Sequence, residues 1–344
     1  MQPPYGGDKY IFGILFHYMN GKGSMPKELF NAKLVINTSR QNVEEVTSDA
    51  HGWDLDVNEM TKQSFKVDIQ ATHTFHLQLS LMNYHAAMMI DGGYPEGTVT
   101  FSCIKTNGLI HEKNRTYYND DIIILNDNKY FDLIVSAPSF IYTLAIDKEI
   151  LEREFKSFFE ISFAEMYKKE NFYLNLKQSE SFYAVFREQM NILKEKSQEN
   201  TSRKIYAEME IKILKKLFSY FLFRPKEINY LPKYIRNGRV LLDQNINATY
   251  TIANMIEDLQ ISKRTIQHGF KHYLGFTPKE YQQYIRFNGI RKSILNVKDS
   301  DITLSEIAVN YNYFHLGHFS TEYKKFFGES PSETLRKVQQ NKTF

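Results

Sequence analysis

The sequence predicts an α+β chain: a β-rich N-terminal region, then a helical hairpin, then an all-α C-terminal region. Three observations predict it. Short segments of alternating character fill about the first 145 positions. Two apolar stripes at helical spacing follow between Phe182 and Phe221, and one helix-turn-helix pattern is written twice between Tyr250 and Leu335. A length of 344 residues with 42% apolar content suits two domains with sizeable cores rather than a disordered chain.

The first long apolar run, Tyr10 to Phe16, is too short to cross a bilayer and lacks the basic flank and cleavage pattern of a secretory signal. A cytoplasmic protein with no membrane partner is therefore expected. Strands are predicted at Lys33 to Ile36, Phe65 to Ile69, Phe75 to Leu81, Thr98 to Ile104, Asp121 to Ile124 and Phe140 to Ile146. Gly92-Gly93-Tyr94-Pro95, Asn107-Gly108 and Asn126-Asp127-Asn128 break them, so the structure should be mostly antiparallel. The single cysteine, Cys103, excludes an intramolecular disulfide and a cysteine-rich zinc site, and should be a small buried residue. His73, His76 and His85 lie in or beside a strand but lack closely spaced His-x-His and a matched carboxylate, so no metal site is expected. Phe75, Tyr94, Phe101, Tyr118, Phe131 and Tyr142 would suit an apolar or aromatic ligand, or simply pack a core.

Phe182, Phe186, Met190 and Leu193 line one face of a first helix, and Met209, Ile213, Leu217 and Phe221 line a second, with polar residues near 199–202 between them. An antiparallel hairpin results. Either both stripes cover the β region, or the second forms a coiled-coil-like homodimer seam. The stretch from Arg224 to Lys233 holds Pro225 and Pro232 and little apolar content, which places the domain boundary at 225/226.

In the duplicated pattern, Ile252, Met255, Ile256 and Leu259 form the apolar face of one helix, and Ile266, Phe270 and Leu274 that of its partner. Leu304, Ile307, Ala308 and Tyr311 repeat the first set, expected to pack on Leu316, Phe319, Tyr323 and Phe327. Phe270 pairs with Tyr323, Gly275 with Gly328 and Pro278 with Pro331 at an offset of 53, whereas Ile252 pairs with Leu304 at 52, so one extra residue falls near Phe314. Glycines 275 and 328 mark helix ends, and Thr277-Pro-Lys-Glu280, Thr303-Leu-Ser-Glu306 and Ser330-Pro-Ser-Glu333 are capping boxes. Lys263, Arg264, Gln267, His268 and Lys271 face outward in the first unit, and His315, His318, Thr321 and Lys325 in the second. Such side chains reach base edges and phosphates. The charge agrees: residues 226–344 carry 17 Lys plus Arg against 11 Asp plus Glu, while the rest of the chain is net acidic.

At the segments ISKRTIQHGFKHYLGFTPKEYQQYIRFNGIRKSIL and ITLSEIAVNYNYFHLGHFSTEYKKFFGESPSETLRK the chain resembles the AraC/XylS family of bacterial transcription regulators. The resemblance covers about the last 110 residues, and HLGHFSTEY and ESPSETL look most like its longer members, including the ethanolamine-responsive type. It departs from the family at Ile256, where a small residue is usual, and at Gln260 and Asn312, where glycine is usual. The resemblance implies a cupin-like β-barrel sensing a small-molecule effector in residues 1–225, and a two-unit DNA-binding domain in 226–344. It also implies promoter DNA and RNA polymerase as partners, and no cofactor. By matched position, Arg264, Gln267, His268, His315, His318 and Thr321 would read bases, and Lys263, Lys271 and Lys325 would favour phosphate. A competing class is an enzyme tethered to DNA or a partner by its C-terminal helices. That class requires a catalytic constellation in the first 225 residues, and no nucleophile elbow, phosphate loop or zinc-hydrolase helix occurs there.

Overall fold

The computed structural model describes residues 28–61, 65–126, 130–168, 172–225, 230–247, 249–297 and 303–341. The Tyr10 to Phe16 run lies outside them, as does part of the expected linker. No helix among the described residues is long and apolar enough to cross a membrane.

Six strands form one antiparallel sheet in the order β1 (Val35–Arg40), β3 (Val67–His73), β4 (Leu77–Tyr84), β11 (Ser139–Asp147), β6 (Thr98–Thr106), β9 (Ile122–Leu125). These are the six expected strands, with bounds moved by a few residues. A second sheet was not foreseen: β2 (Asp54–Glu59), β5 (Met88–Gly93), β10 (Phe131–Val135), β7 (Ile110–Glu112), β8 (Arg115–Tyr117). Gly92, expected in a break, lies inside β5 opposite Leu55, where a Cβ would stand 2.0 Å from the Asp54 carbonyl oxygen. The chain can approach that closely only at glycine.

Side chains alternate across each strand and so sort into layers. Ile69, Ile104 and Ile141 of the first sheet meet Leu55, Ile90 and Leu133 of the second in one buried cluster between the sheets. On the other side of the six-stranded sheet, Leu79, Phe101, Cys103, Tyr142 and Leu144 pack under helices α2 (Lys148–Phe159), α3 (Phe163–Tyr167), α4 (Ser179–Ser197) and α5 (Arg203–Phe218). Burial there pushes the Cys103 thiol pKa up. Of the six aromatic residues considered for a ligand, Tyr94 and Phe131 belong to the cluster between the sheets. Phe101 and Tyr142 face the helices, Phe75 rests edge-on against Tyr206, and Tyr118 is exposed.

The hairpin is present, but its apolar stripe is spent inside the chain. Ile213, Leu217 and Phe221 are buried in the cluster beneath the six-stranded sheet, with Met209 packed against it. Phe221 is not helical but opens β13 (Phe221–Pro225), which pairs with β12 (Phe172–Leu176). A stripe that already covers a sheet has no face left for a second copy, so the homodimer seam expected from these residues is not available. The three histidines take separate partners: His73 bonds Gln78, His85 bonds Asp68, and His76 bonds Glu210 of α5 through its backbone N–H and Nδ1, each at 3.0 Å.

The outer face of the five-stranded sheet receives the C-terminal helices. These include α6 (Lys233–Gln244) and the long α9 (Pro278–Leu295). Met60, Ala87 and Ile134 join the helical core of Ile235, Phe270 and Tyr281. Around this apolar centre Arg239 grips Asp132 at 2.9 and 3.0 Å, and Lys292 reaches Asp56 at 2.6 Å. His111 bonds the Tyr273 carbonyl, and burial drives its pKa down to about 4. The Asn288 side-chain amide exchanges two bonds with the Glu59 backbone, donating to its carbonyl at 2.8 Å and accepting from its N–H at 3.1 Å. Arg291 joins Glu44 of α1 (Val43–Asp49), at 2.8 Å, to Glu329 near the chain's end, at 2.9 Å.

Candidate nucleic-acid interface

Each repeat unit is set by its own local signals. In the first, α7 (Ile252–Leu259) starts at a capping box of Thr251 and Asn254, and α8 (Lys263–Leu274) starts at Ser262, whose hydroxyl accepts the Thr265 N–H at 3.1 Å. In the second, α10 (Leu304–Asn310) starts at the Thr303–Glu306 box and is followed by α11 (Leu316–Phe327). The Thr303 N–H bond holds the Glu306 carboxyl below its ordinary pKa. Gly275 and Gly328 end the second helix of each unit at φ 82° and 76°, the left-handed region that glycine enters without steric cost. The final helix, α12 (Pro331–Asn341), follows the Ser330–Glu333 capping pair.

The turns carry out with other residues what glycine usually does. Gln260 stands at φ 52° and Asn312 at φ 68°. Both turns therefore take the left-handed bend, and the half-buried Ile256 is accommodated beside the first. The two units are joined by α9, whose Tyr281, Phe287, Ile290 and Ile294 are buried between them.

The packed faces are as expected for Met255, Ile266, Phe270, Leu274, Ile307, Ala308, Phe319 and Tyr323, all buried. Leu316 is a correction: expected on the packed face, it is 38% exposed. The extra residue before it turns the helix start by one position, so Leu316 occupies the place that Lys263 holds in the first unit.

All nine residues expected to meet DNA are exposed: Lys263, Arg264, Gln267, His268, Lys271, His315, His318, Thr321 and Lys325. Five share α8, where the His268 and His272 rings stack with centroids 5.9 Å apart. The Lys271 ammonium bonds the Gly275 carbonyl at 3.0 Å, closing its own helix end, and has further N–H donors for a phosphate. Thr321 donates its hydroxyl to the Gly317 carbonyl at 3.0 Å, leaving the oxygen able to accept. His315 occupies the N-cap of α11 without making a side-chain cap bond.

The internal repeat also points to positions that outward phase alone missed. Adding 53 to Arg264, Gln267 and Lys271 gives Gly317, Ser320 and Lys324, all exposed. The signal was in the sequence, because both second helices are 12 residues long and begin 53 apart.

Residues 255–337 match the family model described as a helix-turn-helix domain. The probable thc operon regulatory protein of Rhodococcus erythropolis is 35% identical over 117 residues, which are 34% of this chain and 35% of that protein. The XylDLEGF operon transcriptional activator of Pseudomonas putida is 30% identical over 98 residues, 28% of this chain and 30% of that one. The chain thus spans about a third of the length of these curated relatives. Among solved structures, a probable AraC family transcriptional regulator from Rhodopseudomonas palustris is 25% identical over 31% of this chain and 98% of its own, with a TM-score of 0.29.

Proposed function

Through its C-terminal segment the chain belongs to the AraC/XylS family, and on that premise we propose that it is a one-component transcription regulator acting on double-stranded promoter DNA in the cytoplasm. Residues 1–225 form the sensor domain and residues 226–344 the DNA-binding domain. One observation carries the reading: on α8, on α11 and at the N-cap of α11 the nine donor-bearing and dual-function side chains face solvent while the opposite faces of both helices are buried. A recognition helix needs that division, since one side must be held rigidly and the other must enter the major groove.

In this reading Arg264, Gln267 and His268 contact bases through α8, and His315, His318 and Thr321 through α11, with Lys263, Lys271 and Lys325 on phosphates. RNA polymerase is the second macromolecular partner, recruited at the promoter. The effector site is the space between the two sheets, lined by Trp53, Tyr84, Phe131 and Glu112. Ser80, Thr143 and Ser102 stand opposite one another across β4, β11 and β6, forming a buried row of hydroxyls on that inner wall. Burial raises the Glu112 carboxyl pKa there. The space admits about 30 Å³ of a water-sized occupant, so an effector must displace side chains that now fill it.

The test is selection of duplexes from a random pool by the full chain, followed by mapping of the sites it occupies in the genome. A reproducible two-part sequence supports the reading, and recovery of random DNA only overturns it. Arg264→Ala should lose about 1–3 kcal/mol on the selected site and relax preference at one base pair; equal loss on random DNA in a binding titration would remove its base-reading role. Lys271→Ala should instead weaken binding to all sequences and flatten the dependence of affinity on salt, with one phosphate contact fewer. An unchanged salt slope counts against the phosphate role.

A further inference from the structure

We propose that Phe314 and Leu316 form an apolar reading edge that recognises thymine methyl groups in the half-site bound by the second unit. The inference rests on the DNA-binding reading above and deepens it. The two turns stay in step up to their left-handed residues, Gln260 and Asn312, which are 52 apart. The helices that follow, Lys263–Leu274 and Leu316–Phe327, are 53 apart. One residue has therefore been added between Asn312 and Leu316. With Tyr313 matching Ile261 and His315 matching the N-cap Ser262, the added residue is Phe314.

Phe314 is 63% exposed and Leu316 38% exposed, and Val309 nearby is 43% exposed. Isolated exposed apolar residues are ordinary. Here, however, three of the ten large exposed apolar side chains among the described residues fall within positions 309–316, from the end of α10 to the start of α11. The first unit places Ser262 and Lys263 at the corresponding start, both exposed and polar. The buried Ile266 and Phe270 match the buried Phe319 and Tyr323 at the same offset, so packing of the helix does not account for the contrast at its start.

The major groove offers hydrogen-bond donors and acceptors and one apolar group, the thymine C5 methyl, for which phenylalanine is a fitting partner. Gly317 strengthens the choice. It stands where the first unit has Arg264, and a side-chain carbon built on it would meet nothing within 4 Å. The guanidinium suited to guanine is thus missing from the second unit, and open ground lies beside the two apolar side chains. His315 and His318, also exposed, remain to bond the neighbouring base edges.

The experiment uses the full chain and duplexes it has itself selected from a random pool, remade with deoxyuridine for thymidine in one half or the other. This removes methyl groups and leaves every hydrogen-bonding group in place. Each contacted methyl should be worth about fourfold in affinity, from the transfer of one buried carbon. The loss should occur in the second unit's half and should disappear in Phe314→Ala with Leu316→Ala, whose fold is checked by circular dichroism. Undiminished affinity for deoxyuridine duplexes, or a double variant weakened equally on both kinds of DNA, overturns the proposal. In either case Arg264→Ala reports separately: if it still discriminates among sequences, the DNA-binding reading stands and only the methyl contact falls. If the full chain selects no sequence at all, both fall.

Discussion

Leu217→Glu should unfold the N-terminal region rather than divide a dimer. Leu217 is 0% exposed and belongs to the cluster of Leu79, Phe155, Phe186 and Phe218 under the six-stranded sheet. A carboxylate there loses its water and gains no cationic partner, and the leucine's apolar contacts are lost as well, so the cost should exceed about 4 kcal/mol. Ile205→Glu on the same helix is the control: Ile205 is 45% exposed, and its replacement should change stability by less than about 0.5 kcal/mol. Thermal melts followed by circular dichroism, run alongside size-exclusion chromatography, separate the two readings of the stripe. A Leu217→Glu protein that melts like the parent but elutes as a smaller species would restore the interface interpretation.

The same cluster shows why half of the β region was legible and half was not. Four of the six strands found in the sequence, β4, β6, β9 and β11, carry apolar residues on both faces, because one face meets the second sheet and the other meets α2, α4 and α5. Such strands read as near-continuous apolar runs, whereas β1 and β3 add apolar residues only to the cluster between the sheets and read as alternating. The five strands of the second sheet are short or carry acid on their outer face. Asp56, Asp91 and Asp132 alternate with Leu55, Ile90 and Leu133, and two of these acids meet Lys292 and Arg239, more than 100 residues away. Local pattern cannot show that partnership. The helical units were legible for the opposite reason, since capping boxes, apolar spacing and terminal glycines are all signals within a few residues. Leu316 was misplaced where that local logic is interrupted by the added Phe314.

The meeting of the two regions carries the second large prediction, a contribution to stability that is lost between about pH 5 and pH 8 and that Glu59→Gln should remove. Glu59 is 3% exposed at the end of β2, and burial raises its carboxyl pKa from 4.5 to about 8, against a lowering influence of Arg291 and a raising one of Glu44 and Glu329. The folded chain therefore keeps this carboxyl protonated at neutral pH, whereas the unfolded chain releases the proton above about 4.5. Because the folded pKa is the higher, the stabilisation is complete below the unfolded value and is lost as pH rises toward the folded one. At about 1.4 kcal/mol for each pH unit, the slope amounts to roughly 2–4 kcal/mol over that range. Ionisation would place a negative charge beside Glu44 and Glu329, with Arg291 already engaged by both, and would weaken the seat of α9 that Asn288 makes on the Glu59 backbone. Urea midpoints measured across pH 5 to 8 should fall more with rising pH for the parent than for Glu59→Gln, the gap between the two changing by about 1.4 kcal/mol for each pH unit. Parallel curves for the two proteins would show that Glu59 is ionised in the folded chain and that the contact between the regions does not depend on its proton.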